Sequence, residues 1–219
     1  MTKFEVEFYE TEAGRQPAKE FLLSLDKKMR AKMLHTISIL QDNGYELREP
    51  YSKHLSDGIF ELRAKVGSDI TRVLFFYYVD RRIILTHGFI KKTQRTPSKE
   101  IAFAKNVVRI IVSGGKIKVS VKFDDFLQEQ LQDPELKKEY EALQPEHAII
   151  QAIIDARQKS GLTQKELSER TGIAQGDISK LERGNANPSI RTLQRLAAGM
   201  GMRLRLEFIP DAAAPFVKK

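Results

Sequence analysis

Residues 162–187, LTQKELSERTGIAQGDISKLERGNAN, constrain the fold of this 219-residue chain more than any other stretch. Thr163 and Glu166 have the spacing of a capping box that opens one helix, and Gly172 stands where a glycine closes it. After the short Ile173-Ala174 connection a second helix is expected as far as Lys180–Arg183, with Gly184 as its stop. Leu167, Ile173, Ile178 and Leu181 are spaced to meet in one small core. This is the logic of a helix-turn-helix, whose second helix is shaped for the DNA major groove.

The residues before it follow a different plan. Phe4, Val6 and Phe8 alternate with Glu5, Glu7 and Tyr9, the period of a half-buried strand. Pro17 suits the first turn of a helix running to Leu25. A longer helix is expected from about Lys27 to Asp42, with Met29, Met33, Ile37 and Leu40 on one stripe and Asn43-Gly44 as its stop. Strand patterns follow over 59–66, 70–79 and 82–90, separated by Gly67-Ser68-Asp69 and Asp80-Arg81. Thr96-Pro97 then opens a helix to about Arg109. The order predicts an α+β domain, with helices packed on one face of an antiparallel sheet.

Ser113-Gly114-Gly115 is the one glycine-rich break, and composition changes across it. The expected division is a first domain over 1–112, a linker over 113–120, an acidic helical segment over 121–146 and a helix-turn-helix domain over 147–219. Charge follows the same blocks. Residues 1–112 carry 20 Lys/Arg against 14 Asp/Glu, residues 121–146 carry 3 against 8, and residues 147–219 carry 12 against 7. A net +8 favours a polyanionic partner. The acidic block suits an electrostatic cover for the basic domain, against the plainer reading of solvated helices. Within it, helices are expected over 124–132 and 134–143, and another opens at Gln144-Pro145. After a helix over 189–200, residues 202–209 alternate Leu204, Leu206 and Phe208 with Arg203, Arg205 and Glu207. Such a lone strand needs a partner, which predicts pairing across a two-fold axis in a homodimer.

Zero cysteines exclude disulfides and thiolate metal sites, and His35, His54, His87 and His147 show no ligand spacing. No metal or cofactor is expected. No run approaches 18 apolar residues and no signal peptide opens the chain, so a cytoplasmic location is expected. His54 reads as a loop residue and His35 as a helix-surface one.

In the first domain, Glu61, Arg63 and Lys65 fall on the strand face opposite Phe60, Leu62, Ala64 and Val66. Arg72 lies on the next strand, and His87, Lys91 and Lys92 gather at the end of the third. Arginine and lysine on one surface, with Tyr77 and Phe89 for base stacking, suit a phosphodiester. Taken singly, Arg63 reads equally well as a salt-bridge partner of Glu61, and either lysine as a solvated charge. The ordered set E-L-R (61–63), T-R-V-L-F-F-Y (71–77) and L-T-H-G-F-I-K-K-T (85–93) resembles the RelE/ParE toxin superfamily, nearest its phage Gp49-like HigB branch, over residues 3–109. The resemblance implies an endoribonuclease (mRNA interferase) that cuts mRNA on the ribosome by attack of a ribose 2′-OH on the adjacent phosphate. It implies Arg63 and Arg72 as phosphate clamps, Lys91 and Lys92 as contacts to substrate or leaving oxygen, and His87 as an acid/base candidate.

Residues 162–187 resemble an Xre/Cro-type helix-turn-helix, and the acidic segment resembles the start of HigA-type antitoxins. By that resemblance Gln164 touches a phosphate, and Gln175, Asp177, Ser179 and Lys180 form the exposed face of the recognition helix. Arg183 and Asn187 then lie near its backbone-contacting end. Together these readings describe a toxin fused to its own antitoxin, with mRNA on the ribosome and operator DNA as partners and the toxin–antitoxin contact made in cis or in trans. Two alternatives stay open: a transcriptional repressor with an inactive toxin-like domain, and a toxin that acts on gyrase.

Overall fold

A six-stranded mixed sheet organises the first of two units in the computed structural model, which describes residues 3–47, 49, 51–91, 95–113, 119–182, 184 and 186–207. The units are Met1–Pro145 and Glu146–Lys219. In chain order the first holds β1 (Glu5–Tyr9), α1 (Pro17–Ser24), α2 (Lys27–Asn43), β2 (Ser52–Ser56), β3 (Ile59–Val66), β4 (Asp69–Tyr78), β5 (Arg82–Ile90), α3 (Ser98–Val112), β6 (Val119–Lys122), α4 (Phe123–Gln130) and α5 (Pro134–Glu141). The sheet order is β2-β3-β4-β5-β1-β6.

Local sequence explains most of these elements. Pro17 occupies the first turn of α1, and Asp26 caps α2 by accepting from the Met29 amide at 3.1 Å. Gly44 ends α2 with a φ of 50°, and a Cβ there would run into the Phe4 ring. Asp133 caps α5 by accepting from the Glu135 and Leu136 amides. Met29, Met33, Ile37 and Leu40 are all buried, as their stripe predicts.

The sheet departs from the expectation in two ways. β1 runs parallel to β5, with Val6 opposite Ile83 and Phe8 opposite Leu85, so the sheet is mixed and not antiparallel. Side-chain alternation fixes faces but carries no information on strand direction. Helices also cover both faces. Phe8, Leu62, Val73, Phe75 and Leu85 pack with Leu22 of α1 and Met33 and Ile37 of α2. Ile59, Leu74, Phe76 and Ile84 face the other way, towards Ala104, Val107 and Ile111 of α3. The near-continuous apolar run of β4 is the signature of burial on both faces.

The expected linker and acidic segment belong to this first unit. β6 adds to the sheet edge antiparallel to β1, pairing Lys122 with Glu7. Phe123 and Phe126 of α4 and Leu136 and Tyr140 of α5 are buried in the core shared with α1 and α2. The division between units therefore falls at Pro145, some thirty residues after the glycine-rich break. His54 lies on β2, which the sequence reading missed, and His35 is buried in α2 with its ring edge-on to Tyr140.

The second unit takes up most of α6 (Gln144–Lys159), then α7 (Gln164–Thr171), α8 (Gln175–Glu182) and α9 (Ile190–Gly199). The Thr163–Glu166 capping box is present in both directions, and Gly172 closes α7 in the left-handed region at φ 65°. Leu167, Ile178 and Leu181 are buried with Ile153, Leu193 and Leu196. Residues 202–207 form no strand, so the expected terminal strand is absent over them. Its apolar residues do not act as one face: Leu204 packs on the helical core, while Leu206 stays exposed. Phe208 and Ile209 lie outside the described residues.

Candidate functional site

The antiparallel register of β3, β4 and β5 sets two rows of side chains side by side on the α3 face. Arg63, Arg72 and Phe89 form one row, and Glu61, Leu74 and His87 the next. Two arginines directly opposite each other repel unless something neutralises them. Glu61 does so. Its carboxylate accepts from Arg63 Nε at 2.8 Å, lies 3.4 Å from Arg72 Nε, and takes a hydrogen bond from Thr96 Oγ1 at 2.5 Å. Burial alone would push its pKa up, but Thr96 and the two arginines outweigh that and hold it below the usual range.

Arg63 keeps one-fifth of its side chain exposed and also approaches Glu49 at 3.4 Å. Arg72 is more enclosed, and its Nη1 donates to the Thr71 carbonyl. Burial and the nearby Arg63 charge lower its pKa against the pull of Glu61. Lys91 joins the group as β5 ends. Burial, then the charge of Arg72, makes its ammonium easier to deprotonate than an ordinary lysine, with Glu61 opposing. The cluster thus gathers two guanidinium forks and one lysine around a single buried carboxylate.

The structure does not bring every expected residue to this cluster. Both ring nitrogens of His87 are engaged, Nδ1 with Thr86 Oγ1 at 3.0 Å and Nε2 with Glu100 at 3.1 Å, and the ring packs edge-on to Phe103. Tyr77 belongs to the opposite face, where its hydroxyl donates to the Gly44 carbonyl at 2.6 Å and its ring meets Phe60. Lys92 lies outside the described residues. Glu61 is the residue that sequence reasoning left without a role of its own. Its spacing of two from Arg63 on an alternating strand was the signal.

The acidic segment sits on the other side of the sheet. Asp133 and Glu135 hold Lys27 at 2.8 and 2.6 Å, Asp124 accepts from Gln41, Gln130 accepts from Arg30, and Tyr140 meets Ser38 at 2.9 Å. Every one of these partners is on α2. The Phe126 ring lies edge-on to Phe8 on β1. The segment therefore does not cover the face that carries Arg63 and Arg72. Its two phenylalanines needed an apolar surface, and the α1–α2 side of the sheet supplied it.

In the helix-turn-helix, Gln175, Asp177 and Lys180 are exposed on α8 and Ser179 is half-buried. Asp177 and Lys180 pair at 2.8 Å. Asn187 is exposed after α8, and Arg183 lies outside the described residues. Gln164 is only half-buried, yet its amide donates to Glu182 at 2.8 Å. Glu182 is itself buried and gripped by Arg157 at 2.6 and 3.1 Å, so one carboxylate ties α6, α7 and α8 together. Gly176 has open space where a Cβ would stand.

Comparison with known proteins divides the chain in the same way. Residues 20–109 match the family of phage derived protein Gp49-like sequences, and residues 153–206 match the helix-turn-helix family. The relatives similar to part of the chain include the following three. An uncharacterized HTH-type transcriptional regulator of Haemophilus influenzae is 37% identical over 59 residues, 27% of this chain and 60% of the relative. Antitoxin HigA1 of Mycobacterium tuberculosis is 34% identical over 74 residues, 34% of this chain and 50% of the relative. The uncharacterized HTH-type transcriptional regulator y4dJ of Sinorhizobium fredii is 40% identical over 60 residues, 27% of this chain and 78% of the relative. The chain spans 60% and half of the length of the first two. No helix among the described residues is long and apolar enough to cross a membrane. A Gp49-like domain is thus joined to a helix-turn-helix domain, and through the latter the chain belongs to the HTH-type transcriptional regulators.

Proposed function

We propose that this chain is a toxin and its antitoxin in one polypeptide: an endoribonuclease of the first unit, restrained by the acidic segment, and an operator-binding regulator in the second. The observation that carries the reading is the convergence of Arg63, Arg72 and Lys91 around one buried carboxylate on a single sheet face. In the proposed reaction a ribose 2′-oxygen attacks the adjacent phosphorus and the bond to the 5′-oxygen breaks, leaving a 2′,3′-cyclic phosphate. Arg63 and Arg72 stabilise the charge that develops on the phosphorane. Lys91 transfers a proton, to the leaving 5′-oxygen or from the 2′-OH. His87 is assigned no direct step, because its nitrogens are occupied by Thr86 and Glu100.

Restraint in this reading acts away from the reacting atoms. The acidic segment takes up Lys27 and lies near Lys19 on the α1–α2 side, cations that would otherwise be free to meet ribosomal RNA. The second unit supplies autoregulation, with Gln175, Asp177, Ser179 and Lys180 on the recognition-helix face that meets DNA and Asn187 near its backbone-contacting end. Similarity to antitoxin HigA1 supports the toxin–antitoxin context. Dimerisation through the second unit would place two recognition helices about one DNA turn apart, ~34 Å.

One observation favours a second reading, a repressor with an inactive toxin-like domain. Arg72 is nearly enclosed and both arginines are already paired with Glu61. Growth of bacteria decides between them. Expression of residues 1–112 is expected to arrest growth, residues 116–219 supplied from a second plasmid should rescue it, and R63A/R72A in the short piece should abolish the effect. A folded short piece that leaves growth untouched supports the inactive reading.

A further inference from the structure

β5 outruns its partner. β1 accompanies it only from Arg82 to Leu85, so among the described residues Gly88–Ile90 pair with β4 alone. Beside that free edge lies an open groove of about 500 Å³ whose lining includes Phe21, Phe89, Ile90 and Pro97 together with Lys99 and Glu100. Gly88 makes this wall possible, since a Cβ there would run into the Phe21 ring. Ile90 remains 56% exposed and contributes its side chain to the groove wall.

The neighbours of the groove select its occupant. Phe89 is the cross-strand partner of Arg72, which stands opposite Arg63, and Lys91 follows Ile90 directly. An aromatic-walled slot next to clustered cations matches a flat base attached to a phosphodiester, because every base presents a π-face and every link a charge. An extended peptide on the strand edge would leave those cations without a use. We propose that the Phe21–Phe89 groove holds a nucleobase of single-stranded RNA whose adjoining phosphate lies on Arg63, Arg72 and Lys91. This rests on the ribonuclease reading and adds to it the place of one base.

The test uses the full chain and a fluorescent hexauridylate blocked against cleavage by 2′-O-methyl groups, carrying one 4-thiouridine. An abasic oligomer of equal length is the comparison. The uridine oligomer is expected to bind on the order of ten-fold more tightly, the size of one stacked base. Light-induced adducts should map to Phe21, Phe89 or Ile90. Both F21L and the surface variant I90D should erase the preference for bases, while R63A/R72A weakens both oligomers alike. Equal affinity for the two oligomers, with R63A/R72A still weakening both, overturns the groove and leaves the clamp standing. No binding of either, or adducts confined to residues 162–195, overturns both. Displacement of nothing by uridylate but occupation by an extended apolar peptide overturns the groove as a base site.

Discussion

Arg72 Nε lies 3.4 Å from the Glu61 carboxylate in the interior of the α3 face, and Arg63 shares the same oxygen. One buried carboxylate thus sets the direction of two guanidinium forks. Removing it leaves an enclosed arginine without its counter-charge and Thr96 without its acceptor. Glu61→Gln is expected to cost about 3–5 kcal/mol, the range for breaking one partner of a buried pair. R72M placed on top of E61Q should cost much less than it does alone, because the two residues act as a unit. Urea denaturation of the four proteins checks this; additive losses would show that Glu61 and Arg72 are independent.

The acidic segment is held by apolar side chains more than by its charges. Phe123 and Phe126 are fully buried, and full burial of such a side chain contributes about 1.5–3 kcal/mol. Its ion pairs with α1 and α2 are solvent-exposed, and such pairs contribute little. F126A is expected to lower stability by about 3–5 kcal/mol. Reversing Asp125, Glu129 and Glu135 to Lys should leave the thermal midpoint nearly unchanged. Limited proteolysis between residues 113 and 145 reads the same difference, with F126A cut readily and the charge reversal protected.

His87 predicts a pH dependence. Burial lowers its pKa below the ordinary histidine value, against the pull of Glu100. The unfolded chain therefore binds a proton here at a higher pH than the folded one does. The associated stability is fully present above about pH 6.5, the unfolded histidine value, and is lost as pH falls towards the folded pKa. Wild type should lose more thermal stability between pH 7 and pH 5 than His87→Gln. Parallel curves for the two proteins would remove His87 from the account.

Much of this was legible in the chain because the signals are local. Thr163, Glu166 and Gly172 need only their neighbours to define a helix and its ends. The stripe Met29, Met33, Ile37 and Leu40 needs only a helical period. What escaped depended on partners far away in sequence. The parallel pairing of Val6 with Ile83, the return of β6 to β1, and the burial of Phe126 against Phe8 are contacts that no window of ten residues contains. Charge misled for a related reason. A net −5 segment beside a basic domain suggests a cover, but Phe123 and Phe126 chose the side on which it packs. In the second unit, resemblance gives Gln164 a phosphate to touch, but its hydrogen bond to Glu182 joins residues eighteen positions apart, which no local pattern announces.

DNA recognition in the second unit is expected to depend on Gln175 and Lys180, which project from α8 without burial. Their replacement by Ala should abolish the preference for operator over random duplex, each bidentate base contact being worth about 1–3 kcal/mol. The helical signal in circular dichroism should not change. Titration at two salt concentrations checks the assignment, since retained preference with an unchanged salt slope moves the readout elsewhere.

In the proposed function, Arg63, Arg72 and Lys91 cut RNA in the first unit. Mapping of mRNA ends in a reconstituted translation reaction tests it most directly, with residues 1–112 shown to be folded by circular dichroism and the intact chain run alongside. New ends bearing 2′,3′-cyclic phosphates are expected with residues 1–112, none with the intact chain, and none with R63A/R72A or K91A in the short piece. Uncut mRNA in the presence of the folded short piece, or equal cutting by R63A/R72A, would contradict it.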